Sequence, residues 1–349
     1  MVRESVFFAS IRAFLVTFFG LLGLVASIIV IILLLALITL SGRQAPSVIG
    51  SYTVLPNANG SKKALGQSTP LILSIDLKGV IGSDDLNGPG IEDQLERSRL
   101  GSLDDRVKAI FLNINSPGGS VFAADSIYQA VKEYKERYNV PVYAFADGLC
   151  ASGAMYVSCA ADQIFATAVS LVGSIGVLVE LPNISETLDK IGVEVLTVSR
   201  GKDKDAMNPL RPWKEGEDEQ ITGIIDYYYN DFVALVTGSR KNVSRDKLVD
   251  EYGAHVFPAP AAKEIGYIDE VVATRNVAIA KLAEELGITK EYQVIRLENK
   301  NWLSSLFRAE SPLITGRIVH QMKLPEALDG SSMSGYLYLY KPESQAYYR

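Results

Sequence analysis

The strongest hydropathic feature of the chain is one unbroken apolar run. From Ala13 to Leu40 the sequence AFLVTFFGLLGLVASIIVIILLLALITL carries no charge, and it exceeds the ~20 apolar residues that a helix needs to cross a bilayer. A secretory signal peptide has an apolar core of only ~7 to 15 residues before a small-x-small cleavage site. The run is therefore expected to be a retained transmembrane anchor over 13–40. Arg3 and Arg12 precede it, Arg43 follows it, and Lys62 and Lys63 lie farther downstream. This bias puts residues 1–12 in the cytoplasm and the rest of the chain outside it. Ser41 to Thr69 is rich in Ser, Gly, Pro, Ala and Asn without periodicity, which predicts a linker over 41–69.

Beyond the linker the pattern changes to alternation. Short β-branched runs at Leu71–Leu77, Ala109–Ile114, Val140–Phe145, Gln163–Phe165 and Val193–Val198 predict buried strands. Helical patterns at Ala123–Tyr138, Ser152–Ala161 and Ile184–Ile191 fall between several of them. Strand-helix alternation implies an α/β domain with a mostly parallel sheet and flanking helices. The apolar stretch Ile164–Leu181 is interrupted by Ser170, Gly173, Ser174 and Gly176, so it is expected to be core strand and loop, not a second span. Glu215–Arg240 predicts a long amphipathic helix through Ile221, Ile224, Ile225, Tyr228, Phe232, Leu235 and Val236. Ser244 could cap a further short helix, and Pro260 with Gly266 brackets another. From about Thr289 the pattern weakens, so the domain is expected over 70–288 and an extension over 289–349. In that extension GYLYLY (Gly335–Tyr340) reads as a late strand, a docking segment or a loose end.

Composition narrows the function. The 349 residues are 48% hydrophobic with a net charge of −6, and no Lys/Arg cluster of the kind that binds phosphate backbones occurs, which argues against a nucleic-acid partner. Cys150 and Cys159, expected on one helix ~13 Å apart, are too few for a disulfide framework or a cysteine metal site. They are expected to be small core residues. No metal or cofactor is implied. His255 and His320 stand in unrelated contexts, so a Ser-His-Asp triad is a weak reading.

Two stretches carry candidate chemistry. KAIFLNINSPGGS reads as a strand running into Pro117, Gly118 and Gly119, at the sheet end where open α/β folds bind ligands. Glycines there let backbone N–H groups approach a substrate oxygen, although an ordinary turn has the same composition. PVYAFADGLCASGAMYVSCAAD reads as a strand ending near Gly148, with Ser152 opening a helix of small residues. Ser152 is either a nucleophile at a helix N-terminus or only an N-cap; Cys150 is a rival. With no histidine nearby, the base would be a lysine whose neutral form burial favours, from SRGKDKDAMNPLRP (Ser199–Pro212). Lys202 and Lys204 both qualify, and both could be solvated loop charges.

Taken together, NSPGGS, DGLCASGAMYVSCAAD, VGSIGV, GKDKDAMNPLR and HVFPAPAAKEIGYIDEV resemble, in order and spacing, the signal peptide peptidase A family, serine peptidases of family S49 with the ClpP/crotonase fold. The resemblance covers roughly Leu71–Leu286. It implies a ClpP/crotonase-like fold behind one transmembrane helix, Ser152 as nucleophile and Lys204 as general base. It also implies Gly118, Gly119 and Gly153 around the oxyanion, and Ser174 lining the site. The departures are the proline-rich Pro258–Pro260 and Asp203 beside the proposed base. The implied activity is hydrolysis of hydrophobic peptides, such as signal peptides, at a bacterial plasma membrane, with the catalytic domain outside the cytoplasm. Longer members of the family carry two domain copies and share the site between them. A single-copy chain is therefore expected to form a homo-oligomeric ring. The alternatives are a crotonase-like acyl-CoA enzyme and an inactive crotonase-fold membrane scaffold.

Overall fold

The structure is a computed structural model that describes residues 6–41, 52–66, 68–84, 86–289, 291–298 and 337–339. Two compact units divide the chain near Ile49. The first holds helix α1 (Val6–Ser41), 36 residues long and about 54 Å at 1.5 Å per residue. Among the described residues it is the one helix long and apolar enough to cross a membrane.

The second unit runs, in chain order, β1 (Tyr52–Leu55), β2 (Leu71–Lys78), α2 (Gly88–Arg97), β3 (Val107–Ser116), β4 (Gly118–Ser120), α3 (Val121–Tyr138), β5 (Val142–Ala151), α4 (Gly153–Ser158), β6 (Gln163–Thr167), β7 (Leu171–Gly173), α5 (Ser185–Lys190), α6 (Glu219–Ser239), α7 (Arg245–Lys247), β8 (Val256–Pro258), α8 (Ala259–Ile265), β9 (Glu270–Val272), α9 (Arg275–Glu285), β10 (Gln293–Leu297) and β11 (Leu337–Leu339). The main sheet has the order β1-β10-β2-β3-β5-β6-β9, with β7 beside the end of β5 and β8 beside β7. Within it only β1–β10 and β7–β8 are antiparallel. This is the α/β class expected from the sequence: a mostly parallel sheet with flanking helices, preceded by an apolar helix.

The central strands are covered on both faces, and that is why their sequences are continuously apolar instead of alternating. In β3, Ala109 through Ile114 are all buried. One face packs Ile72, Phe111, Tyr143, Phe145 and Phe165 against Ile279 and Leu282 of α9, with Phe111 and Phe145 stacked at 5.9 Å. Arg240, just past α6, ties that helix to the sheet. It grips Asp269 with two bonds of 2.9 and 2.7 Å, and Asp269 in turn accepts the N–H of Ile164 on β6.

Several expectations are corrected. Val193–Val198 forms no strand. It has no pairing partner among the described residues, and Leu196 and Val198 are 89% and 78% exposed. Cys150 lies on β5, not on a helix with Cys159. The sheet also reaches past 70–288 on both sides, because β1 comes from the expected linker and β10 from the expected extension. The late strand in GYLYLY is found as β11, while the rest of 299–349 in the expected 289–349 extension, His320 included, lies outside the described residues.

Candidate active site

In the parallel register of β3 and β5, Ser116 stands opposite Cys150. Two residues farther along each chain, Gly118 and Ser152 leave the same end of the sheet. This is the carboxyl end, where such folds place their ligands.

Ser152 joins β5 to α4 in a conformation that L-residues rarely adopt, with φ 56° and ψ −120°. Three backbone bonds hold the turn. The Ser152 N–H donates to Gly173 O at 2.8 Å, the Ser174 N–H to His255 O at 2.7 Å, and the Tyr156 N–H to Ser152 O at 3.0 Å. Asn87 and Thr274 spend their side chains capping helices, but the Ser152 hydroxyl makes no cap bond. Its Oγ is buried and, among the described residues, without a hydrogen-bond partner. A strained backbone at a functional turn with an idle hydroxyl has the makings of a nucleophile elbow. Gly153, the first residue of α4, is buried beside it. Ser174 is 5% exposed and likewise has a positive φ of 56°.

The glycine pair divides its labour. Gly118 donates its N–H to Ser116 Oγ at 3.1 Å and accepts from Ile81 N at 2.8 Å, while Ser120 N donates to Ile81 O at 2.9 Å. Backbone groups alternate in direction along a strand, so Gly119 turns its own N–H and C=O to the opposite edge. Gly118 is thus engaged within the turn, and Gly119 is left as the candidate oxyanion donor. A Cβ on Gly119 would lie 2.0 Å from Ile81 O, so only glycine lets β4 approach that segment.

Lys204 is not brought to Ser152 within this chain. It is exposed, and the Ser152 hydroxyl contacts no amine. Lys202 is exposed as well, facing Asp203 at 3.8 Å. The loop around Lys204 is nonetheless ordered by Arg211. This guanidinium binds the carboxylate of Asp205 through Nε at 2.9 Å, the Asp205 carbonyl at 2.8 Å, and both oxygens of Glu217. Arg211 holds the Asp205 carboxyl below its ordinary range and depresses Glu217 to about 2. The sequence offered no signal for this clamp: an arginine in a polar loop is usually solvated.

The rival groups fall away. Cys150 is fully buried with its thiol pushed up to about 12 by desolvation, so it supplies almost no thiolate, the reactive form. His255 is exposed, stacks edge-on with Phe257, and meets the Ser152 turn only through its backbone carbonyl.

Residues 135–289 match the profile of peptidase family S49, and residues 98–171 match that of Clp protease. A Methanocaldococcus jannaschii protein named as a candidate protease is 36% identical over 200 residues, 56% of this chain and 63% of its own. An Enterococcus faecium protein named as a candidate signal peptide peptidase SppA is 31% identical over 196 residues, 56% of each chain. The chain thus spans less than two thirds of either relative. Among solved structures, a ClpP1 mutant from Listeria monocytogenes aligns with 58% of this chain and 92% of its own at 18% identity, with a TM-score of 0.38.

Proposed function

From the premise that this chain belongs, through residues 135–289, to peptidase family S49, we propose that it is a membrane-anchored serine endopeptidase with a Ser152–Lys204 dyad. Its substrates are hydrophobic peptides, among them signal peptides left in the membrane after cleavage. The observation that carries this reading is the Ser152 hydroxyl, set on a strained strand-to-helix turn, buried, and used neither as a cap nor in any other hydrogen bond among the described residues.

In the reaction, the neutral Lys204 amine takes the proton of Ser152 Oγ as that oxygen attacks the peptide carbonyl. The Gly119 and Gly153 N–H groups receive the developing oxyanion; a single such donor contributes about 10²- to 10³-fold in rate. The C–N bond then breaks, and Lys204 returns the proton to the leaving amine. Water next attacks the acyl-enzyme carbonyl, giving a proton to Lys204; the ester bond to Ser152 Oγ breaks, the carboxylic acid product leaves, and Lys204 returns the proton to Oγ.

Because Lys204 is remote from hydrogen-bond contact with its own Ser152, it serves the serine of a neighbouring copy. The segment that carries it favours this arrangement. Ile191, Val193, Leu196 and Val198 expose apolar side chains, and an apolar surface of this kind is the mark of an interface. Repeated head-to-tail contacts would close a ring. Helix α1 anchors the assembly in a bacterial plasma membrane with the peptidase unit outside the cytoplasm.

The deciding experiment is reaction of the full-length protein with a fluorophosphonate, followed by peptide mapping. The adduct is expected on Ser152. An adduct elsewhere, or none in protein that cleaves peptides, would overturn the assignment.

A further inference from the structure

The register between β3 and β5 breaks directly before the site. Ile114 pairs with Ala146, and the next pair is Ser116 with Cys150. One residue of β3, Asn115, thus stands opposite three of β5, Asp147, Gly148 and Leu149. This is a bulge on the strand that carries Ser152, and bulges of this kind re-aim side chains beside active sites. Continued without a break, the earlier register would set Cys150 opposite Gly118 and Ser152 opposite Ser120, two residues or ~7 Å farther along the strand. With the bulge, Ser152 comes level with Gly118. A nucleophile and an oxyanion donor must serve one carbonyl group from about 3 Å each, so the unbroken register would hold Ser152 out of reach of the glycine pair.

At the bulge β5 also changes neighbours, from β6 before it to β7 after it. Side chains there take over from strand partners. Ser170, fully buried, accepts the Gly148 N–H at 3.1 Å and donates to Ala146 O at 2.9 Å. Asn115 Oδ1 accepts the Leu149 N–H at 3.1 Å, while the Asn115 backbone carbonyl still accepts the Gly79 N–H at 3.1 Å. The amide crosses over Gly148, where a Cβ would lie 2.7 Å from Oδ1. Ser170 fastens the bulge to the strand behind it. Asn115 ties the strand of the glycine turn to the strand of the serine.

We propose that Asn115 is a positioning residue for the reaction: its side chain splints the bulge and so fixes Ser152 against the Gly119 N–H. It acts through the Leu149 N–H, three residues before the serine, and touches no reacting atom. The effect on rate rests on the peptidase reading above; the splint itself does not.

The test uses full-length protein in detergent. Asn115→Ala is expected to lower kcat for a fluorogenic leucine-rich peptide about 100-fold with KM within about twofold, because a misplaced serine weakens the transition state and not the bound peptide. The rate of Ser152 labelling by the fluorophosphonate should fall in step. Asn115→Asp keeps an acceptor oxygen in place and is expected to recover most of the rate. Asn115→Leu keeps the approximate shape without the acceptor and is expected to recover none. An unchanged kcat in Asn115→Ala, or equal rates in Asn115→Asp and Asn115→Leu, overturns the proposal. So does a loss that merely follows a lowered melting temperature or a raised KM.

A second arm is independent of catalysis. Amide hydrogen exchange, read by mass spectrometry, should be faster across residues 147–152 in Asn115→Ala than in the parent chain, and close to the parent in Asn115→Asp. Equal exchange in all three overturns the splint. If Ser152 labels in no chain while exchange still separates Asn115→Ala from Asn115→Asp, the peptidase reading fails and the splint stands.

Discussion

The backbone N–H of Ser152 lies 2.8 Å from the carbonyl oxygen of Gly173. The bond pins the turn that carries the hydroxyl to a strand from a different part of the chain. Gly173 itself has φ 128°, and a Cβ there would lie 2.6 Å from His255 O. Gly173→Ala is therefore expected to displace β7 from β8 and release the Ser152 turn. Peptide hydrolysis should fall by about 100-fold or more, since small misplacements of reacting groups cost that much. Kinetics beside a thermal melt check this, and a normal rate would mean that the turn is held without this strand.

Ser152→Ala and Lys204→Ala should each abolish hydrolysis while leaving the melting temperature unchanged. His255→Ala and Lys202→Ala should retain most activity. Loss in Lys202→Ala with retention in Lys204→Ala would assign the base to the other lysine. Activity in both lysine variants would end the dyad.

Mixing inactive Ser152→Ala subunits with inactive Lys204→Ala subunits, under conditions of subunit exchange, should restore part of the activity. Some interfaces then pair an intact serine with an intact lysine. If exchange is confirmed by a tag and no activity returns, the site is not shared between chains.

Arg211→Ala should lower kcat by about 10- to 100-fold, because it frees the loop that presents Lys204. Arg211→Lys should not rescue it, since a point charge cannot reproduce the fork that grips Asp205 and Glu217. Both carboxyls are depressed in the folded chain, so the clamp is at full strength above their ordinary values and is lost as pH falls through the folded ones. For Glu217 that window runs from 4.5 down to about 2. Trp213 bonds Asn208 O within the same loop, so its fluorescence, in a Trp302→Phe background, should stay constant at neutral pH and change only across this acid range.

Asp269→Ala should destabilise the peptidase unit by about 2 to 3 kcal/mol, the scale of charge-assisted hydrogen bonds. It leaves Arg240, 8% exposed, without its carboxylate, and strips the N–H of Ile164 of a partner. Denaturant unfolding of the full chain measures the loss. A change under about 0.5 kcal/mol, ordinary for surface substitutions, would mean that the pair is solvated.

Legibility in the sequence followed burial. The runs at 71–77, 109–114 and 163–165 are covered on both faces, so continuous apolarity announced them as strands. The glycines and Ser152 were legible because turn chemistry leaves few residue choices. Val193–Val198 has strand composition, yet its surface faces outward in the single chain, where local propensity meets no pairing edge. β1 and β10 were missed for the converse reason: YTVL and QVIRL are too short to signal alone, and only a partner about 240 residues away makes them strands. Whether Ser152 was a nucleophile or merely a cap was open in the sequence, because the two roles use the same residue at the same place. The idle hydroxyl speaks against the cap, and the proposed nucleophile rests on it.

The position of β10 sets a timetable for the chain. It lies between β1 and β2, so Tyr52–Leu55, among the first residues of the unit to be synthesised, has no neighbour until Gln293–Leu297 has emerged. Until then the edge of β2 stands unpaired, an open template for association with other chains. Contacts this distant in sequence also form slowly. A chain interrupted before Gln293 would therefore keep its glycine turns and its serine yet remain adhesive and unfinished. That makes the interval between the emergence of β1 and that of β10 the period when chaperone protection matters most.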